Sequence, residues 1–247
     1  MLTGMKVIRA RLKKGEEARF ISHLDFTRAV ERAARRACVP LVLSEGYNPH
    51  PRLSFGPALP VGTTSDAEYV DFYLDGEISA AEFARRLKPQ LPPGLSLVEA
   101  REVWKGSPSL TSLLDTASYR VQVPVQPDLS LAGVEEAVQR FLAQEEIEVT
   151  RLRKKKGLRR VNIRPGIFSV ETVELSGGRL VFDMKLVTGS LGTVRPEEVI
   201  EALASFTGWT LGKEGRRVHR TGLYCRRDGR YWTPMEKPHS AAGSTGS

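Results

Sequence analysis

The stretch Met5-Lys6-Val7-Ile8-Arg9-Ala10-Arg11-Leu12-Lys13 decides how the first part of the chain folds. Lys6 excepted, it alternates: Ile8, Ala10 and Leu12 share one side, and Arg9, Arg11 and Lys13 the other. A period of two with one apolar side predicts a half-buried β-strand. Ser22 then opens a helix, with Asp25 three positions on as an acidic form of the capping box. Phe26, Val30, Ala33 and Ala37 recur at helical spacing, and Pro40 stops the run. Leu41–Leu43 is a short strand candidate. Over Glu68–Leu74 the residues Val70, Phe72 and Leu74 point inward, and Tyr69, Asp71 and Tyr73 outward. A second helix is predicted from about Ser79 to Leu87, and Leu95–Val103 reads as a closing strand. The order β-α-β-β-α-β is the ferredoxin-like arrangement.

The second half nearly repeats this order. Tyr119–Val125 alternates as a strand, Val134–Leu142 has helical spacing, and Glu146–Arg153 is a strand. Gly166–Leu175 and Arg179–Val187 are joined by Ser176-Gly177-Gly178, a hairpin turn. Pro196 starts a helix ending near Gly208, and Val218–Cys225 is a last strand. The expected fold is therefore α+β, two ferredoxin-like halves with antiparallel sheets. Residues 1–104 form the first half, 105–118 a Gly/Pro/Ser-containing joint, 119–237 the second half, and 238–247 a tail expected to be disordered.

Composition narrows the class. The 247 residues carry a formal charge of +8, which favours phosphate-rich partners. No run approaches the roughly 18 apolar residues of a membrane span, and the first residues lack the apolar core of a secretory signal. Cys38 and Cys225 alone make no disulfide framework or cluster-binding set, so a reducing cytoplasm is the expected compartment.

The most unusual segment is Ser44-Glu45-Gly46-Tyr47-Asn48-Pro49-His50-Pro51-Arg52-Leu53-Ser54-Phe55-Gly56-Pro57. A long Pro/Gly-dense connection inside a compact unit is more often functional than decorative. Tyr47, His50, Arg52 and Phe55 suit stacking on bases and holding phosphates; the plainer reading is a loop packed by its own aromatics. His23, just after the cap Ser22, could act as acid, base or phosphate ligand. Grouped with His50, Asp25, Glu45 and Glu68 it could form a metal site, but no spacing demands one, so no metal or cofactor is expected.

In a ferredoxin-like sheet Arg9, Arg11 and Lys13 would lie beside Tyr69 and Tyr73, as on RNA-binding sheets, unless the second half covers that face. Helix residues Arg28, Arg32, Arg35 and Arg36 form a stripe, with Glu31 placed to pair Arg35. The densest positive run is Arg151, Arg153, Lys154, Lys155, Lys156, Arg159, Arg160 and Arg164, on a strand–turn–strand with Gly157 near its tip. Packed cations on a hairpin can follow a phosphate backbone. A second basic group comprises Lys213, Arg216, Arg217, His219, Arg220, Arg226, Arg227 and Arg230. Nucleotide-binding loops, the serine-hydrolase elbow and the helical zinc motif are absent.

Phe20-Ile21-Ser22-His23-Leu24-Asp25, Arg35-Arg36-Ala37, and Ser44–Pro51 continued by Ser54–Gly62 resemble a bacterial family of unknown function. Its members are described as radical SAM-linked or radical SAM-associated proteins. Ser65-Asp66-Ala67-Glu68-Tyr69, Ile163-Arg164-Pro165, Arg195-Pro196-Glu197-Glu198 and Arg220-Thr221-Gly222-Leu223-Tyr224 extend the resemblance over most of the chain. It implies a separate radical SAM enzyme as partner, in a setting of RNA processing or translation. The expected function is an RNA-binding accessory protein presenting rRNA or tRNA to that enzyme. One alternative is a metal-independent endoribonuclease with His23 or His50 as acid or base and Arg52 stabilising charge, similar at fold level to CRISPR repeat-processing enzymes. The other is a protein-interaction scaffold.

Overall fold

The computed structural model describes residues 5–104, 107–125, 129–153 and 157–236, the Arg153 side chain excepted. β1 (Lys6–Lys14) leads through a short 3-10 turn at Glu16–Ala18 into α1 (His23–Arg36). A three-residue β2 (Leu53–Phe55), a long β3 (Thr63–Leu74), α2 (Ala80–Leu87) and β4 (Leu95–Glu102) follow. The chain continues with α3 (Leu110–Leu113), β5 (Thr116–Pro124), α4 (Leu131–Leu142), β6 (Glu148–Arg153) and β7 (Gly157–Asn162). Then come β8 (Ile167–Ser176), β9 (Arg179–Val187), α5 (Pro196–Thr207), β10 (Arg217–Arg227) and β11 (Arg230–Trp232).

Local chemistry sets the ends of these elements. Ser22 caps α1: its hydroxyl oxygen accepts from the Asp25 amide at 3.1 Å and its O–H donates to the Asp25 carboxylate at 2.7 Å. Such a cap contributes about 1 kcal/mol. The Pro196 ring starts α5 without losing a needed donor, and Gly208, at φ 75°, closes it in a left-handed conformation that costs glycine little.

Nine strands form one mixed sheet, ordered β4-β1-β3-β10-β5-β9-β8, with β2 added on β3 and β11 on β10. Every pairing is antiparallel except β3 with β10. The expectation of two sheets is thus corrected: the halves share one. The reason lies in β3. Its partner β2 covers Val70 to Phe72, leaving the amide edge at Thr63–Ser65 open, and β10 pairs there, Val218 beside Thr63 and Arg220 beside Ser65. An unpaired edge is a liability, and this pairing removes it. β6 and β7 form their own two-stranded sheet.

Leu41–Leu43 makes only isolated bridges, Leu41 to Leu74 and Leu43 to Pro51; the paired strand is Leu53–Phe55. Prolines 40, 49 and 51 lack the N–H a ladder needs. The described part of the expected joint is not a loose connection. Leu110, Leu113 and Leu114 are buried there, and β5 already begins at Thr116. The expected tail at 238–247 and residues 105–106 lie outside the described residues.

Two apolar clusters fill the interior. In one, Ile8, Ala10 and Leu12 of β1 and Val70, Phe72 and Leu74 of β3 meet Phe26 and Val30 of α1 and Phe83 and Leu87 of α2. The other gathers β5, β8, β9 and β10 against α4 and α5, and takes in Ala67 and Tyr69 of β3 together with Leu110 and Leu114. β3 therefore feeds both cores, which ties the halves together.

Candidate nucleic-acid interface

The motif loop is a closed neck with an open tip. Val42 and Arg52, and Ser44 and His50, are joined by backbone hydrogen bonds of 2.7–2.8 Å, and the Ser44 hydroxyl accepts from the His50 amide at 3.0 Å. Glu45, Gly46, Tyr47, Asn48, Pro49 and His50 project beyond the neck and are exposed. Gly46 turns the tip at φ 128°, a conformation side-chain-bearing residues rarely adopt. At the base, half-buried Pro51 bridges to Leu43, and the Arg52 guanidinium lies 4.5 Å from the Tyr73 ring centroid. Arg52 and Tyr73 are thus in contact, while Tyr47 at the tip is fully exposed.

The remainder of the motif is built into the scaffold. Phe55 meets His23 and Phe26 edge-on, each with ring centroids 6.0 Å apart. Gly56 leaves no room for a side chain without moving Leu114. The Pro57 and Ala58 carbonyls accept from Arg220 at 3.0 and 3.1 Å, and Arg220 also donates to the Glu68 carboxylate at 2.9 Å. Glu68, Arg220 and the Pro57–Ala58 turn, distant in sequence, meet as a buried joint.

His23 and His50 are not brought into one site. His23 opens α1, half-buried, its ring against Phe26 and Phe55; burial lowers its pKa, with Arg220 and Lys14 acting in the same sense and Glu68 opposing. No hydrogen bond or ring contact among the described residues joins it to exposed His50. Among those residues, no three His, Cys, Asp or Glu side chains gather as a metal-holding group.

The proposed sheet-face site is corrected. Arg9 is 1% exposed, in a bidentate pair with Asp71 at 2.7 and 2.9 Å, and also donates to the carbonyls of Pro234 and Pro108. Tyr69 is buried, and that burial pushes its hydroxyl up to about 12 despite the nearby Arg11 guanidinium. The segment carrying α3 and the chain near Pro234 cover this face, so Arg9 and Tyr69 cannot present themselves to a ligand. Arg11 and Tyr73 are half-buried.

On the hairpin, Arg151 is anchored inward. It grips both oxygens of Glu198 at 2.7 Å and donates to the Thr193 carbonyl at 2.7 Å. Leu152 and Leu158 pair across the strands and are 78% and 74% exposed. Arg159 and Arg160 are exposed, Arg160 with Glu148 at 3.4 Å. Lys154, Lys155 and Lys156, between β6 and β7 in sequence, lie outside the described residues, as does the Arg153 side chain. Elsewhere many cations face carboxylates: Lys6–Glu102, Lys13–Asp66, Arg35–Glu31, Arg120–Asp183 and Arg217–Glu16.

The family of uncharacterized proteins conserved in bacteria, DUF2344, has a sequence model that matches residues 7–196. The chain belongs to this family. No curated protein shows significant similarity to this DUF2344 member. Among solved structures it is similar to a Cbf5-Nop10-Gar1 complex, at 12% identity and TM-score 0.48, over 88% of this chain and 48% of that one. An H/ACA RNP bound to a substrate RNA containing 2′-deoxyuridine is similar at 12% identity and TM-score 0.45, over 91% and 47%. An archaeal box H/ACA sRNP Nop10-Cbf5 complex is similar at 10% identity and TM-score 0.43, over 87% and 46%. The chain spans about half the length of these solved chains, and likenesses this low carry no argument about what it does.

Lys14 joins Arg9 and Arg220 as a buried cation. The Lys14 amine donates to the Arg19 and Ile21 carbonyls, each at 3.2 Å, and burial lowers its pKa against the pull of Glu68. Lys14 shares the parity of Ile8, Ala10 and Leu12, so the alternation of β1 itself places it on the buried side.

Proposed function

We propose that this DUF2344 protein is an RNA-binding accessory protein and that its β6–β7 hairpin engages the phosphate backbone. One observation carries the reading: the hairpin stands outside the nine-stranded sheet, exposes Arg159, Arg160 and the Leu152–Leu158 pair, and is braced along its length by Arg151 on Glu198. In sequence, β6 ends on Arg153, and Lys154, Lys155 and Lys156 follow it before β7 begins. A braced cationic arm can sit along phosphates, and exposed apolar side chains beside it can pack on bases.

Three finer readings belong to this proposal. The reading of both halves as ferredoxin-like units is supported by matching strand orders, β4-β1-β3-β2 and β10-β5-β9-β8. A separate radical SAM enzyme as partner, and rRNA or tRNA as the target, rest on the sequence resemblance alone.

Equilibrium binding of a structured RNA across a salt series tests the assignment. The Lys154→Ala/Lys155→Ala/Lys156→Ala variant is expected to bind more weakly, with a log K against log salt slope shallower by about 2. Wild-type affinity and slope in that variant would remove the hairpin from the site. A protein that copurifies with a radical SAM enzyme yet binds no RNA at low salt would instead be a scaffold.

A further inference from the structure

Where β3 and β10 begin side by side, a cavity of about 270 Å³ is lined by Glu16, Arg19, Thr64, Arg120, Arg217 and His219, with Gln122 and Val218. Strand register builds it. His219 sits beside Thr64 across the parallel pair and beside Arg120 across the antiparallel one, so three strands present the three side chains in a row. Thr64 Oγ1 is 2.8 Å from His219 Nδ1, and His219 Nε2 is 2.9 Å from Asp66 Oδ2. The Lys13 amine lies 2.9 Å from the other Asp66 oxygen.

The chemistry of this chain follows from Asp66. Burial works to raise its pKa, but the hydrogen bonds from Lys13 and His219 outweigh it and hold the carboxyl below its ordinary value. An ionised carboxylate only accepts, so Nε2 carries a hydrogen and donates to it. In the neutral ring Nδ1 then accepts from the Thr64 hydroxyl. In the imidazolium Nδ1 donates to Thr64 Oγ1 instead, and the hydroxyl hydrogen is free to turn to the cavity. The arginines are oriented by partners that leave donors over: Arg120 uses Nε and Nη2 on Asp183, and Arg217 uses Nη1 on Glu16 at 3.3 Å. Arg19 is held by the Gly62 carbonyl at 2.7 Å.

We infer that this cavity binds a terminal phosphate, the group of a phosphate monoester, through Arg120, Arg217 and, with His219 as the imidazolium held by Asp66, the Thr64 hydroxyl. With Asp183 on Arg120 counted, the three guanidiniums and Glu16 leave one positive charge, and the imidazolium form of His219, which also frees the Thr64 hydroxyl, makes it two. A monoester carries about −1.5 to −2 at neutral pH, which matches; an internal diester carries a single charge. The inference stands apart from the hairpin, since the monoester can come from a free nucleotide or from the 5′ end of an RNA.

Calorimetric titration of the full chain with inorganic phosphate, a nucleoside 5′-monophosphate, and one oligoribonucleotide with either a 5′-phosphate or a 5′-hydroxyl tests it. Both small phosphates are expected to bind, each about tenfold more weakly to Thr64→Val and to Arg217→Ala. Thr64→Val keeps the side-chain shape, and circular dichroism with thermal melting verifies that both variants fold. Absence of binding to the wild type, or equal affinity in both folded variants, overturns the site. Preference for the 5′-phosphorylated oligonucleotide supports it with RNA as the source. Small phosphates bound with neither oligonucleotide bound supports the cavity while removing the RNA reading. Oligonucleotides bound alike without small phosphates overturn the cavity and leave that reading standing.

Discussion

The β3–β10 seam and the β6–β7 hairpin are both rich in arginine, and they use the guanidinium in opposite ways. Arg220 at the seam and Arg9 on neighbouring β1 are buried, each on a carboxylate of β3, with backbone carbonyls taking further donors. Their positive charge has no reach beyond the protein. On the hairpin, Arg151 is tied down on Glu198, while Arg159 and Arg160 are exposed, Arg160 with Glu148 at 3.4 Å, and can meet an external anion. The contrast teaches that a net charge of +8 says little about binding until each cation is assigned a partner.

A substitution at the seam should do the most damage. Glu68→Ala strands the Arg220 guanidinium without its carboxylate, and removing one partner of a buried pair costs about 3–5 kcal/mol. Chemical denaturation should read that loss; a change below about 1 kcal/mol would mean that water reaches Arg220 and the seam is not closed. A second, smaller effect concerns the covered face. Tyr69, held up to about 12, keeps its proton in the folded chain at pH values where an unfolded tyrosine has lost it. The folded state then binds more protons than the unfolded one, so stability falls as pH rises from about 10 towards 12. In Tyr69→Phe this alkaline slope should be reduced, measured by melting temperature against pH. The smallest effect belongs to the hairpin: Arg151→Ala breaks a partly exposed pair and should cost no more than about 1 kcal/mol globally. Its mark should be faster proteolysis within the hairpin, and unchanged cleavage there would show that the arm is not braced by Glu198.

Much of the layout was legible along the chain. Ser22, Pro196, Gly208 and the Ser176-Gly177-Gly178 turn act through neighbours a few residues away, and the elements they bound fall close to where their chemistry places them. The basic hairpin was legible for the same reason. The buried Arg220 pair was less so, although one signal was present: Glu68 shares the parity of inward Val70, Phe72 and Leu74, and an acid on the buried side requires a cation. The Thr64–His219–Asp66 chain had no local signal at all, because its members lie 153 and 155 positions apart and meet through strand pairing.

Local chemistry along the chain accounts for the periodic elements, their caps and turns, and the concentration of cations between residues 151 and 160. Tertiary structure decided that the halves share a sheet, that Arg9 and Arg220 are interior, and that a cavity opens at the seam. The physical reason is range. Backbone conformation responds to nearby residues, whereas the open edge of β3 and the Glu68 carboxylate are satisfied by a strand that lies more than half the chain further along.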